Sequence, residues 1–135
     1  MSNPQIKPVV EPLFADYLQR YEGCELLCLA TTDGFPVVSQ MLPNMHLEAD
    51  AMAAASSTLF SVSNAISRQM LERPFKVAFV ESDRGNVAFV ALTAVNLDLV
   101  LTMSANDQMN IGQLRTLIGR LANEVVERCG SLAAS

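Results

Sequence analysis

The sequence has no run of basic residues, no long apolar stretch, a single histidine and no glycine-rich phosphate loop. Each shortage removes a class of function. Nine Lys and Arg are scattered along the chain against fourteen Asp and Glu, for a net charge of −5. Nucleic-acid binding needs a positive stripe to neutralise phosphates, so no nucleic-acid partner is expected, and an acidic membrane surface would repel the chain. The longest apolar stretch, around residues 87–95, falls far short of the roughly 18–20 residues that cross a bilayer. The start, Met1-Ser2-Asn3-Pro4, lacks a basic region followed by an apolar one. No membrane insertion and a cytoplasmic location are therefore expected.

The scarcity of metal ligands and activated nucleophiles is as informative. His46 lies between Met45 and Leu47, where a cap or surface role is expected, and one histidine without a close cysteine pair does not make a conventional zinc site. Cys24 and Cys28 fall in an apolar segment that reads as a strand. Four residues of strand separate them by about 13 Å, too far for a disulfide or a shared metal ion. With Cys129 they read as free, buried or semi-buried thiols. No G-x-S-x-G elbow accompanies the many serines, and no G-x-x-x-x-G-K-[ST] loop is present. Glu48/Asp50 and Glu124/Glu127 read as solvated helix faces. Gly112 and Gly119 read as sites of close packing on a sheet. No catalytic residue, cofactor site or metal site is assigned, and the chain is expected not to be an enzyme.

What is present is apolar. Half of the 135 residues are hydrophobic and only 17% are charged, which calls for a large core, an apolar interface, or both. Residues 1–10, with Pro4 and Pro8, read as a flexible tail, 11–130 as one domain, and 131–135 as a second tail. Pro12 opens a first helix on which Leu13, Phe14, Tyr17, Leu18 and Tyr21 share a face, with Gly23 beyond its end. An apolar strand over 25–32 leads through Asp33-Gly34 into a second strand over 35–42, whose Pro36 belongs at a sheet edge. Residues 47–71 contain neither Gly nor Pro. Pro74 ends that long helix. Strands follow over 75–81, 86–95 and 97–103, joined by the turns at 82–85 and 95–96. Asn110 caps a last helix carrying Ile111, Leu114, Ile118, Leu121 and Val125, with Gly130 at its end. The order is α-β-β-α-β-β-β-α. Strands apolar on both faces imply a sheet covered on both sides, hence an α/β (α+β) three-layer sandwich around a five-stranded antiparallel sheet.

The long helix carries a further message. About 25 residues of helix span roughly 37 Å, while five strands make a sheet only about 20–24 Å wide. Such a helix is expected to overhang its sheet unless it is kinked. Met52, Ala55, Leu59, Val62, Ile66 and Met70 form one stripe. Ala51, Ala54, Ser56, Ser57, Thr58, Ser61, Ser63, Ala65 and Ser67 make the remainder small and neutral. Small side chains allow a second backbone to approach closely, so a helix from another subunit is the expected neighbour. The apolar strand with Phe75, Val77 and Phe79 would aggregate as an open edge, and pairing it with its own copy across a two-fold axis would satisfy its backbone. Met52, Ala55, Leu59, Val62, Ile66, Phe75, Val77 and Phe79 are thus the candidate dimer or partner interface.

The order and texture of these elements resemble the Roadblock / dynein-light-chain family. The likeness lies in Thr32-Asp33-Gly34-Phe35-Pro36-Val37, the Ala/Ser/Leu-rich helix over 51–70, Arg84-Gly85-Asn86 among the later strands, and Asn110-Ile111-Gly112-Gln113-Leu114-Arg115 at the last helix start. It covers about residues 17–126. The resemblance implies a homodimer or heterodimer joined at the third strand with long helices side by side. It also implies partners that are small Ras-like GTPases, bound and reshaped rather than supplied with catalytic residues, so Arg68, Arg73 and Arg84 are not read as arginine fingers. The Ser-rich long helix and the proline-bearing N-terminal segment depart from the family pattern. Two other functions compete: a small-ligand sensory module of similar fold, which would need a concave polar pocket, and a structural light chain of a larger complex.

Overall fold

The computed structural model describes residues 5–133, apart from the side chains of Ser131 and Ala133. Eight elements follow in the expected order: α1 (Ile6–Arg20), β1 (Cys24–Thr31), β2 (Pro36–Met41), α2 (Ala49–Leu71), β3 (Val77–Ser82), β4 (Gly85–Ala94), β5 (Leu97–Asn106) and α3 (Ile111–Ala133). The strands form one antiparallel sheet in the order β2-β1-β5-β4-β3. β5 enters the middle, and α2 carries the chain from the β2 edge to the β3 edge. Pro36 does sit on an edge strand, where its missing N–H costs no ladder bond.

Alternation along the central strands explains the three layers. On β1, Leu27 and Leu29 join the core built with α1 and α3, while Cys28 and Ala30 face Ala53 of α2. On β5, Leu99, Leu101 and Met103 point to α1 and α3, and Val100 points to the other side. Period-two patterning with both sets apolar requires cover on both faces. The larger core takes Ile6, Val10, Phe14 and Tyr17 from α1 and Leu114, Ile118, Leu121 and Val125 from α3.

Both expected tails are shorter than the sequence suggests. Helix α1 begins at Ile6 and contains Pro12, because Ile6 and Val10 are fully buried and their burial outweighs the local cost of proline. Pro8 lies in the first turn, where its missing N–H would have no helical partner. Helix α3 runs through Gly130 to Ala133, so Gly130 does not end it. The remaining tail residues, 1–4 and 134–135, lie outside the described residues.

Turn chemistry holds the hairpins. Gly34 adopts φ +102°, and the Thr31 and Phe35 backbones and the Thr31 hydroxyl bond across the turn at 2.9–3.4 Å. Gly85 answers a different need. A Cβ there would lie 2.8 Å from the Ala105 carbonyl oxygen on β5. At α3, the Asn110 side chain accepts the Gln113 N–H at 2.8 Å and the Gln113 side chain accepts the Asn110 N–H at 3.0 Å, a reciprocal capping box. The reading of Glu124 as solvated is corrected. It is half-buried and accepts a short hydrogen bond from the Tyr17 hydroxyl, tying α1 to α3.

Candidate self-association and partner surface

Helix α2 packs on β1, β2, β5 and β4, held near its start and middle by polar fasteners. Ser56 and Thr102 share a buried hydroxyl–hydroxyl bond of 2.8 Å. Ser57 donates to the Thr32 carbonyl at 2.5 Å. Further on, the Asn64 side chain accepts the Phe75 N–H at 3.1 Å. Two of the serines expected on a subunit-facing surface, Ser56 and Ser57, therefore bind the chain's own sheet and the turn after β1. Ser56 is buried and Ser57, Ser63 and Ser67 are half-buried. The exposed small residues are Ala51, Ala54, Ala55, Thr58, Ser61 and Ala65.

The expected apolar stripe divides in the same way. Met52 packs beside Cys28, Ala30 and Ala53, and Leu59 packs on Phe75, Phe89 and Val100, so both contribute to the core under α2. Ala55, Val62 and Ile66 face outward, Val62 at 53% and Ile66 at 50% exposure. Met70 and Leu71 continue this apolar surface to the end of the helix, and Met70 is 76% exposed. A free monomer gains nothing from such a surface, because unburied apolar side chains keep their hydration cost. The helix ends at Glu72 in the left-handed region, φ 55°, where the Glu72 N–H bonds back to the Arg68 carbonyl and the Arg73 N–H to the Ser67 carbonyl. No glycine announces that turn, so the sequence gives it no local signal.

The third strand is an edge. β3 pairs only with β4, in the register Val77↔Val90 to Ser82↔Gly85. The Ala91 N–H bonds to the Lys76 carbonyl, which makes Val77↔Val90 a non-hydrogen-bonded pair. Val77 and Phe79 therefore point their backbone N–H and C=O groups away from β4, toward the open edge. Their side chains face the α3 layer, with Phe79 packed against the larger core and the Arg115 guanidinium 5.1 Å from its ring centroid. Phe75 lies on the opposite face, buried under α2. The eight candidates thus do not make one patch. Ala55, Val62 and Ile66 form an exposed helix face, Val77 and Phe79 supply an open backbone edge, and Met52, Leu59 and Phe75 support both from inside.

Helix and edge meet in a groove of about 720 Å³ lined by Ile66, Met70, Leu71, Phe75, Val77 and Ala78, with Arg73 and Lys76 beside them. Met70 and Leu71 belong to the surface by the same geometry, and Leu71 is visible in sequence only as the end of the helix.

The three cysteines are buried free thiols. Desolvation pushes the Cys24 thiol up to about 12 and raises those of Cys28 and Cys129. Such thiols are poor nucleophiles. Among the described residues, no group of three or more His, Cys, Asp or Glu is placed to hold a metal ion. His46 is exposed in the connection before α2, two residues ahead of the N-cap position at Glu48. Within the same residues, no helix is long and apolar enough to cross a membrane.

No family model and no curated protein matches this sequence. Solved structures do match in shape. The gliding protein MglB of Thermus thermophilus superposes with a TM-score of 0.77 at 11% identity, over 97% of this chain and 94% of that one. MglB of Myxococcus xanthus gives 0.71 at 15% identity, over 91% and 93%. A Roadblock/LC7 domain from Streptomyces avermitilis gives 0.69 at 16% identity over the full length of both chains. The elements, their order and these superpositions establish that the chain has the roadblock-type fold.

Proposed function

We propose that this chain is a non-catalytic, cytoplasmic binding domain that forms a homodimer and, as a dimer, regulates or scaffolds a small Ras-like GTPase. The observation that carries the reading is the juxtaposition of an apolar edge, β3, unpaired among the described residues, with the exposed apolar end of α2. Two copies related by a two-fold axis would pair β3 with β3 and lay one α2 beside the other, satisfying edge backbone groups and covering Val62, Ile66 and Met70 together. The small residues Ala55, Thr58 and Ala65 would let the helices approach closely. The GTPase as partner rests on the resemblance of the sequence motifs and is supported by the roadblock-type fold.

Light scattering of the purified chain tests the assembly, with twice 14.6 kDa expected. Val77→Pro removes an N–H that points out of the edge and leaves the bonds to β4 in place, so a folded monomer is expected. An unchanged dimer mass would sink edge pairing. For the partner, a Ras-like GTPase of the same genome loaded with fluorescent GDP should release nucleotide at a different rate when the dimer is added. A rate unchanged at saturating dimer, together with no binding, would remove the GTPase as partner and leave the structural light-chain and small-ligand functions.

A small-ligand sensory module has one observation in its favour. A groove of about 730 Å³ between the end of α1 and the start of α3 is lined by Arg20, Tyr21, Gln108, Asn110, Gln113 and Arg120, among others. The Arg120 guanidinium donates to the Tyr21 hydroxyl there at 3.1 Å. A metabolite that raises Tm in the wild type and not in Arg120→Ala would favour that reading.

A further inference from the structure

On the face of the sheet opposite α2, a trough of about 440 Å³ runs between the β3–β4 pair and α3. Its apolar lining includes Val77, Val90, Leu92, Ile118 and Val126, and Val126 is 41% exposed. Lys76 and Arg115 line it too, and among the described residues no carboxylate does. That is a local reversal of charge on a chain with a net charge of −5.

Gly119 is the second observation. It stands in the middle of α3 and lines this trough. Glycine weakens a helix interior, and its usual justification is a close neighbour that leaves no room for a side chain. Among the described residues there is no such neighbour, since a Cβ at Gly119 would meet nothing within 4 Å. Close packing on the sheet, the expectation from sequence, does not account for it. The missing side chain instead leaves a notch in the wall of the trough.

We propose that this trough is a second docking surface, fitted to an amphipathic helix of a partner protein that carries carboxylates beside a bulky apolar side chain. The carboxylates would meet Lys76 and Arg115, and the apolar side chain would enter the notch at Gly119. A helix is the form that fits, because the occupant lies over the face of a sheet. β4 is bonded to strands on both sides, and the free backbone groups of β3 point sideways from the edge. An occupant of the face must satisfy its own backbone. This step rests on the self-association reading in one respect, that a second copy occupies the edge and keeps an extended peptide from adding there.

The test uses the full chain and a fluorescent peptide of about four helical turns, with a Leu/Phe stripe flanked by Glu, beside a twin carrying Lys in place of Glu. Anisotropy should show the Glu peptide binding at least about tenfold tighter than the twin. The double variant Lys76→Glu/Arg115→Glu should reverse that preference. Gly119→Met should lower affinity by about tenfold with the light-scattering mass unchanged. Gly119→Ala, for which there is room, should raise Tm and supply a stably folded comparison. Amide shifts should concentrate at Val90, Leu92, Arg115 and Val126. Absence of binding, equal affinity for the two peptides, indifference to Gly119→Met, or shifts on the α2 face would each overturn the proposal. A monomeric wild type would remove the self-association reading alone, provided the shifts still map to the trough. Protection of the β3 edge amides by the peptide would overturn the helical occupant.

Discussion

Gly85 and the three cysteines show how single positions acquire their meaning from neighbours distant in sequence. Gly85 opens β4 because the Ala105 carbonyl of β5 passes where its Cβ would be. Gly85→Ala must push that carbonyl aside, at a cost of about 1–3 kcal/mol, and a Tm several degrees lower is the expected result by calorimetry. The thiols act through pH. Burial raises all three above the ordinary value of 9.0, Cys24 to about 12. A folded pKa above the unfolded one means that the neutral thiol's contribution is complete below about pH 9 and is lost as pH rises toward 12. Tm should therefore fall from about pH 9 upward, and Cys24→Ala should flatten that fall. An equally steep alkaline decline in the variant would show that Cys24 is not responsible.

At the scale of elements, the two long helices differ in how they are specified. Helix α3 declares its start in four residues, since Asn110 and Gln113 cap each other reciprocally. Asn110→Ala should cost about 1 kcal/mol, read as a lower urea midpoint with an unchanged slope. Helix α2 is instead defined by faces. Leu59 looks inward to Phe75, Phe89 and Val100, whereas Ile66, seven residues later, looks outward. Leu59→Glu should destabilise the monomer by several kcal/mol, because a charge is buried without a partner. Ile66→Glu should leave the fold intact and weaken self-association. If Ile66→Glu unfolds the chain and Leu59→Glu is tolerated, the assignment of the two faces is wrong.

For the molecule as a whole, the sheet order controls everything functional. Placing β5 in the centre sends β2 and β3 to opposite edges, and it is β3 that lines a groove with the end of α2. The element order, the antiparallel hairpins, the edge position of β2 and the three-layer cover were legible in the sequence. Hydrophobic period, Pro36 and the turn residues act locally and leave few alternatives. The same local signals determined that α2 is longer than the sheet is wide. They could not determine which turn of α2 touches which strand. A stripe such as Met52, Ala55, Leu59, Val62, Ile66 reads as one face by spacing, yet packing on the sheet buries some members and exposes others. Nor could they show that Phe75 lies across the sheet from Val77 and Phe79, since the chain enters β3 only at Val77. The N-terminal start of α1 was hidden for a related reason, as Pro8 and Pro12 argue against helix locally while the core that buries Ile6 and Val10 is assembled from distant strands and α3. Gly119 is the same lesson in reverse. The sequence shows a glycine in a helix, and only the packed fold shows that nothing among the described residues fills the space beside it.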